Sequence, residues 1–289
     1  MTLLYLKLEF TRLNVAGKLG RSFLQDTIMA KSRTLLIVLF FLSGTGLADD
    51  QEQKLGVTLD LTYVSRYIWR GMDIYPQHHS ATQPSIDIDL YGTGFGLNVW
   101  SSMANRSGFE EDKEMDYTVY YNNTIFEDEV YATNYNVGWT YYTYPNLPPK
   151  AADMQELIAT FCWPKFLPAG LVPHYTIVCT WPSASHSDVS DDGGWLHMFG
   201  LCWELPITPW LPGTKEQTVE LSAEATYNDN AYGPQVNHGW SHAVFGVSTG
   251  IGLGDNLTFK PGFYYQSSLG NSSKIKDQYW VSLGLEYKF

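Results

Sequence analysis

The sequence predicts an all-β fold, a membrane-spanning antiparallel up-and-down β-barrel of about twelve strands, and three observations predict it. The last segment alternates strictly. Tyr279, Val281, Leu283, Leu285, Tyr287 and Phe289 fall on one face, and Gln278, Trp280, Ser282, Gly284, Glu286 and Lys288 on the other. One face suits lipid and the other water. From Leu55 onward the chain breaks into similar segments of about ten residues, the length that crosses a bilayer at a tilt. Composition agrees: 15% of residues are aromatic and only 17% charged, yet the mean hydropathy is −0.19. Strands that alternate apolar with polar average to such a value, so mild hydropathy does not argue against a membrane location.

The one continuous apolar run, Leu35 to Leu42, follows Lys31 and Arg33 and precedes the small-residue stretch from Ser43 to Ala48. A basic segment, a short apolar core and a small-residue end make residues 29–48 a secretory signal peptide, cleaved near Ala48. The run is too short to span a bilayer alone. Met29 stands at the natural start of this signal, so residues 1–28 read as a mis-assigned upstream extension. An unusually long leader is the alternative. Residues 49–54 form a short periplasmic N-terminus, and residues 55–289 the barrel. Removing residues 1–48 takes away Lys7, Arg12, Lys18, Arg21, Lys31 and Arg33 but only Glu9 and Asp26, so the formal charge falls from −12 to −16. Such a surface excludes nucleic acid as a partner and favours cations.

The predicted strands lie near 55–66, 82–91, 95–103, 115–125, 129–142, 153–163, 171–181, 194–205, 216–227, 241–252, 256–267 and 277–289. Alternation is cleanest in the ninth, where Val219, Leu221, Ala223, Ala225 and Tyr227 oppose Thr218, Glu220, Ser222, Glu224 and Thr226. Tight links at Gly92-Thr93-Gly94, Glu127-Asp128 and Gly254-Asp255 follow the second, fourth and tenth strands. Longer polar links follow the odd-numbered strands, as external loops do. The links 165–170 and 206–215 break this rule by being long and proline-bearing. Closure is required because an open edge in hydrocarbon leaves backbone N–H and C=O groups unpaired at several kcal/mol each. Rings at segment ends, among them Tyr63, Tyr91, Tyr117, Trp195, Tyr265 and Tyr287, form two interfacial belts. A soluble β-sandwich or a lipocalin-like carrier is the competing fold.

Alternation puts Asp60, Asp87, Asp89, Asp116, Glu156, Glu204, Glu220, Glu224 and Glu286 on polar faces, with Lys260 and Lys288 as cations. These are the pore-lining candidates. A water-filled lumen so lined concentrates cations, whereas a plugged interior would use the same carboxylates for hydration or cross-linking. Arg66 and Arg70 in the first long loop are candidates for binding anionic solute or lipid phosphate, or for pairing with lumen carboxylates. Cys162 and Cys202 fall on the polar face and Cys179 on the apolar one, which makes a disulfide framework unsuitable; all three read as small packing residues. Asp188, Ser190 and Asp192 imitate the start of a calcium loop, but Phe199 stands where the bidentate glutamate belongs. No phosphate-binding glycine loop or zinc spacing is present, so no metal or other cofactor is expected.

A terminal Phe289 after an alternating strand resembles the C-terminal signature that the β-barrel assembly machinery reads in the bacterial outer membrane. The segment Val64-Ser65-Arg66-Tyr67-Ile68-Trp69-Arg70-Gly71, followed by Gln83-Pro84 and by the stretch from Gly94 to Trp100, is similar to the TorF-type family of bacterial outer-membrane porins. That resemblance covers the first two strand pairs and the last strand, and implies a barrel and transport without assigning catalytic residues. His78 and Ser80 resemble the His-x-Ser pair of the outer-membrane phospholipase family, but lack a third orienting group and a place at the lipid rim. The sequence therefore predicts a non-enzymatic outer-membrane channel for passive diffusion of small hydrophilic solutes, cation-preferring or neutral, with outer-membrane lipids as its surroundings. A lipid-acting hydrolase and a closed structural or adhesive barrel are the alternatives.

Overall fold

A computed structural model describes residues 54–184, 187–189, 193–210, 217–231, 238–272 and 274–289. The readings of residues 1–28, 29–48 and 49–53, with the cleavage site, lie outside the described residues, as do Ser190 and Asp192.

Twelve antiparallel strands form one closed sheet: β1 (Gly56–Val64), β2 (Ala81–Asp89), β3 (Phe95–Ala104), β4 (Glu114–Ile125), β5 (Thr133–Thr143), β6 (Met154–Cys162), β7 (Leu171–Pro182), β8 (Gly194–Ile207), β9 (Gln217–Asp229), β10 (Gly239–Thr249, continued by Ile251–Gly252), β11 (Leu257–Ser268) and β12 (Gln278–Lys288). Each strand pairs with its sequence neighbours. Closure comes from β1 against β12, in register from Thr58↔Lys288 to Val64↔Ser282. Among the described residues the barrel sheet has no free edge, which is what a sheet surrounded by hydrocarbon would need.

The alternation read from the sequence is the alternation of the wall. On β1, Leu59, Leu61 and Tyr63 are exposed while Thr62 and Val64 are buried. On β12, Val281, Leu283 and Leu285 are exposed while Gly284 is buried. Outward side chains are apolar because they face no protein; inward ones meet each other across the barrel. Spin labels at positions 281 to 286 in liposomes should therefore alternate between oxygen-accessible and water-accessible, and a period near 3.6 residues would contradict the barrel.

The links alternate too. The five on the side of the chain ends, here the turn end, include 90–94, where Asp89 Oδ1 accepts the Gly92 N–H at 2.6 Å. The turn after β4 is longer than expected. Phe126 to Ala132 form two consecutive turns, Glu129 N–H to Phe126 O and Ala132 N–H to Glu129 O, with Phe126 at φ 56°. Thus β5 begins at Thr133, and Val130 and Tyr131 cap the turn rather than extend the strand. The opposite, loop end carries 65–80, 105–113, 144–153 and the described residues of the three later links, 183–184, 187–189, 193, 230–231, 238, 269–272 and 274–277. The link 144–153 contains one helical turn, Pro149–Ala152. Among the described residues no helix is long and apolar enough to cross a membrane.

The apolar core lies inside the barrel at the loop end. Val64, Tyr67, Tyr75, Ala81 and Trp100 form one cluster, and Ile68, Val244 and Trp280 a second. Tyr67, Ile68 and Tyr75 belong to the first loop, so part of that loop is core.

Candidate functional site

The first loop turns inward. Its content explains why: Tyr67, Ile68, Trp69, Ile74 and Tyr75 are too apolar for a solvated loop, and Tyr67, Ile68 and Tyr75 are buried to 2%, 1% and 0% exposure. Two short strands, Ile68–Trp69 and Met72–Asp73, make a hairpin whose tip is Arg70-Gly71. Both tip residues have positive φ, 47° and 86°. Gly71 also lies flat against the His242 ring, where a Cβ would come within 2.8 Å of Nδ1. The Gly71 carbonyl accepts from Gln266 Nε2 at 2.8 Å and from Gln278 Nε2 at 3.3 Å, which ties the tip to β11 and β12. Arg70 reaches the other way and pairs with Glu156 on β6 while stacking over Trp69 at 4.4 Å. The expectation of an external polar loop is corrected: the loop crosses the lumen and ties the wall near β1 to the opposite wall.

Arg70 enters a group of acids. Glu114 and Asp116 project from β4 beside Glu156, and one Asp116 oxygen and one Arg70 nitrogen, Nη1, have no protein partner among the described residues. Glu114 is 2% exposed and accepts from Tyr67 Oη at 2.7 Å and Tyr144 Oη at 3.1 Å. Burial, and the nearby carboxylate, hold the Tyr67 and Tyr144 hydroxyls well above the ordinary phenol range, so both stay protonated and donate. Burial pushes the hydroxyl of Tyr75, in the same loop, up to about 12. A cavity of about 700 Å³ beside the hairpin is lined in part by Trp69, Tyr142, Tyr144, Glu114 and His78.

Below the hairpin the other candidates form separate pairs. Lys260 lies between Asp60 Oδ2 at 2.7 Å and Glu286 Oε2 at 2.9 Å, which joins β11 to β12 and β1. The pairing with Glu286 follows from strand arithmetic; the second partner, Asp60, was not foreseen. Lys260→Met should cost about 1 kcal/mol, since the pair is part-exposed. Adding Glu286→Gln should recover only part of that loss, and Asp60→Asn the rest, as read by urea unfolding in vesicles. Asp87 accepts from Tyr120 Oη at 2.8 Å and Asn98 Nδ2 at 3.3 Å. Tyr120 gets there by lying over Gly96, whose Cβ would meet it at 2.1 Å. Asp89 spends one oxygen on the turn. Glu204, on β8 opposite Glu220, is exposed near the turn end, and Lys288 lies on the last rung beside Thr58. Arg66 sits over the Tyr279 ring at 5.2 Å, and its charge also acts on Asp73.

Glu224 has a partner the sequence reading missed. His174 on β7 reaches it across Gly200 of β8, Nε2 to Oε2 3.2 Å, and the other ring nitrogen, Nδ1, is 3.7 Å from Cys202 Sγ. The signal was present as an inward glycine between two inward polar residues, but it shows only once strands β7, β8 and β9 are set in register. Elsewhere the rejected patterns stay apart. Ser80 accepts from Asn105 Nδ2 at 3.2 Å, while the His79 ring packs on Phe109 and His78 faces Asp73. Asp188 pairs with Lys150 at 3.7 Å. Among the described residues no group of three or more His, Cys, Asp or Glu side chains is arranged to hold a metal ion.

Comparison with known proteins agrees at the level of fold. Residues 49–167 match the model of a family described as "Bacterial protein of unknown function (Gcw_chp)". No curated protein matches the chain. Among solved structures, the NanC porin is similar over 80% of this chain and 100% of its own, at 13% identity and a TM-score of 0.52. The KdgM porin, solved in complex with disordered oligogalacturonate, is similar over 81% of this chain and 99% of its own, at 10% identity and a TM-score of 0.45. An outer membrane channel from Pseudomonas putida F1 is similar over 84% and 100%, at 10% identity and a TM-score of 0.44.

Proposed function

We propose that this chain is an outer-membrane channel through which small hydrophilic solutes, cations or neutral molecules, diffuse passively, and that the first loop sets its aperture. The observation that carries this reading is the contrast within one closed wall: apolar side chains outward, and an inward lining in which carboxylates outnumber Arg70, Lys260 and Lys288. Inward acids in excess of the inward cations attract cations wherever water reaches them. The TorF-type resemblance of the first two strand pairs points the same way, and so does Phe289 as the mark by which the assembly machinery would insert the chain in the bacterial outer membrane. His78 faces Asp73 and Ser80 accepts from Asn105, and these separate partners speak against a lipid-acting hydrolase.

A second reading is favoured by one feature. The hairpin lies across the loop end with Arg70 locked to Glu156, as expected of a closed structural barrel. Planar-bilayer recordings of the refolded chain separate the two: discrete conductance steps support the channel, and their absence across a range of voltages supports the closed barrel. If the protein conducts, reversal potentials in a KCl gradient should favour K⁺, and high salt should weaken that preference. Replacing Asp60, Asp87 and Asp89 together by Asn should weaken it as well. Anion preference in the unmodified protein would overturn the assignment of these residues to the solute path.

A further inference from the structure

Cys202, His174 and Glu224 stand in the order of a nucleophile, its base and the group that orients the base. The barrel register explains how they meet. His174, Gly200 and Glu224 lie on one line across β7, β8 and β9, and Cys202 is two residues beyond Gly200, on the same inward face. A Cβ at position 200 would lie 2.2 Å from His174 Cε1 and Nε2, so only glycine lets the ring lie flat across β8. The ring then spans both neighbours, with Nε2 3.2 Å from Glu224 Oε2 and Nδ1 3.7 Å from Cys202 Sγ. Glu224 is 7% exposed, and its other oxygen, Oε1, has no protein partner among the described residues. A buried carboxylate so placed favours the imidazolium, and an imidazolium beside sulfur favours the thiolate. Moving the thiol proton to His174 leaves the total charge of the three groups unchanged, which removes much of the cost of forming an ion inside the wall.

We propose that Cys202, His174 and Glu224 form a thiolate-generating array on the inner wall of the barrel, and that Cys202 is a modification site for small disulfides. The Cys202 thiolate attacks one sulfur of the disulfide, and that S–S bond breaks as the new one forms. The displaced sulfur leaves as a thiolate and takes the proton held by His174. The small disulfide is reduced to one thiol, and Cys202 is oxidised to a mixed disulfide. Three further titratable groups lie beside the array. Cys162 of β6 is the Cα partner of His174, and Glu204 and Glu220 stand one inward position closer to the turn end, where their charge opposes the thiolate. From β10 the facing residues are Val244, Gly246 and Ser248, all uncharged.

The chain carries its own controls. Cys162 is inward and opposite His174, but both ring nitrogens of that histidine are turned to Glu224 and Cys202 instead; Cys179 pairs with Trp195 and Leu157 on the outer, apolar face. The test is the reaction of the refolded full chain in lipid vesicles with 2,2′-dipyridyl disulfide, followed by released thiopyridone, with the modified cysteine located by peptide mass. An unassisted thiol is only about 1% thiolate at pH 6.5. Cys202 should therefore react at least about tenfold faster than Cys162 at that pH, and its rate should change little between pH 6.5 and 8.5 while that of Cys162 rises steeply. His174→Gln should bring Cys202 down to the rate of Cys162 at pH 6.5, and Glu224→Gln should do so in part. Equal rates for the two cysteines in the unmodified chain, or no reaction of Cys202 in the folded barrel at pH 8.5, would overturn the proposal without any variant having to fold. None of these readouts requires current through the barrel, so the outcome is independent of whether it conducts.

Discussion

Replacing residues 66–79 by a short Gly/Ser link should raise the single-channel conductance several-fold and flatten its dependence on voltage. The hairpin they contain spans the lumen from the β1–β2 side to Glu156 on β6 and fixes its tip to Gln266 and Gln278. With it gone, the ties that join Glu156 on β6 to Gln266 and Gln278 across the lumen are lost. Twelve strands close continuously around the sheet, from β1 to β12, so the wall should persist without the loop. The deletion removes the buried side chains of Tyr67, Ile68 and Tyr75 and so lowers stability, but a heat-modifiable, folded band on a gel would show that the barrel survives. An unchanged conductance in the folded variant would place the constriction elsewhere and remove the aperture role from this loop.

Arg70→Met should be the most destabilising single substitution in the lumen, by about 3–5 kcal/mol. Arg70 is 4% exposed and is the cation placed among Glu156, Glu114 and Asp116. Without it Glu156 keeps its burial and loses its counter-charge, and a buried charge left alone costs more than the pair is worth. Arg70→Met combined with Glu156→Gln should therefore recover most of the loss. Arg70→Lys should recover only a small share of it, since an ammonium cannot match the planar stacking on Trp69. Urea unfolding in lipid vesicles, read by tryptophan fluorescence, measures all three. Strictly additive losses for Arg70→Met and Glu156→Gln would mean that the two side chains do not depend on each other.

Much of this was legible in the linear sequence because a barrel wall obeys a local rule. A strand with one side in lipid and the other facing inward must alternate at every residue, so Leu59, Leu61 and Tyr63, or Val281, Leu283 and Leu285, declare their facing without knowledge of their neighbours. The strand number and the even count follow from the same periodicity, and the turn after β2 from its glycines. The Lys260–Glu286 pair was accessible too, since adjacent strands joined by one link have a register that can be counted. Where the local rule weakens, the reading drifted: Val130 and Tyr131 look like strand residues but close a double turn, because Phe126 adopts a positive φ that no periodicity announces.

The tertiary structure alone decided what fills the barrel. Asp60 reaches Lys260 only because the first and last strands meet, a contact between residues 200 positions apart along the chain. Arg70 meets Glu156, and Tyr67 meets Glu114, because a loop turned inward instead of outward. That choice depends on whether burying Tyr67, Ile68 and Tyr75 against the far wall outweighs the cost of taking Arg70 out of water, a balance set by the width of the closed barrel and the acids waiting inside it. His174, Cys202 and Glu224 come from three strands whose relative stagger no single segment encodes. Periodicity along a strand fixes which way a side chain points; only closure and register fix what it touches.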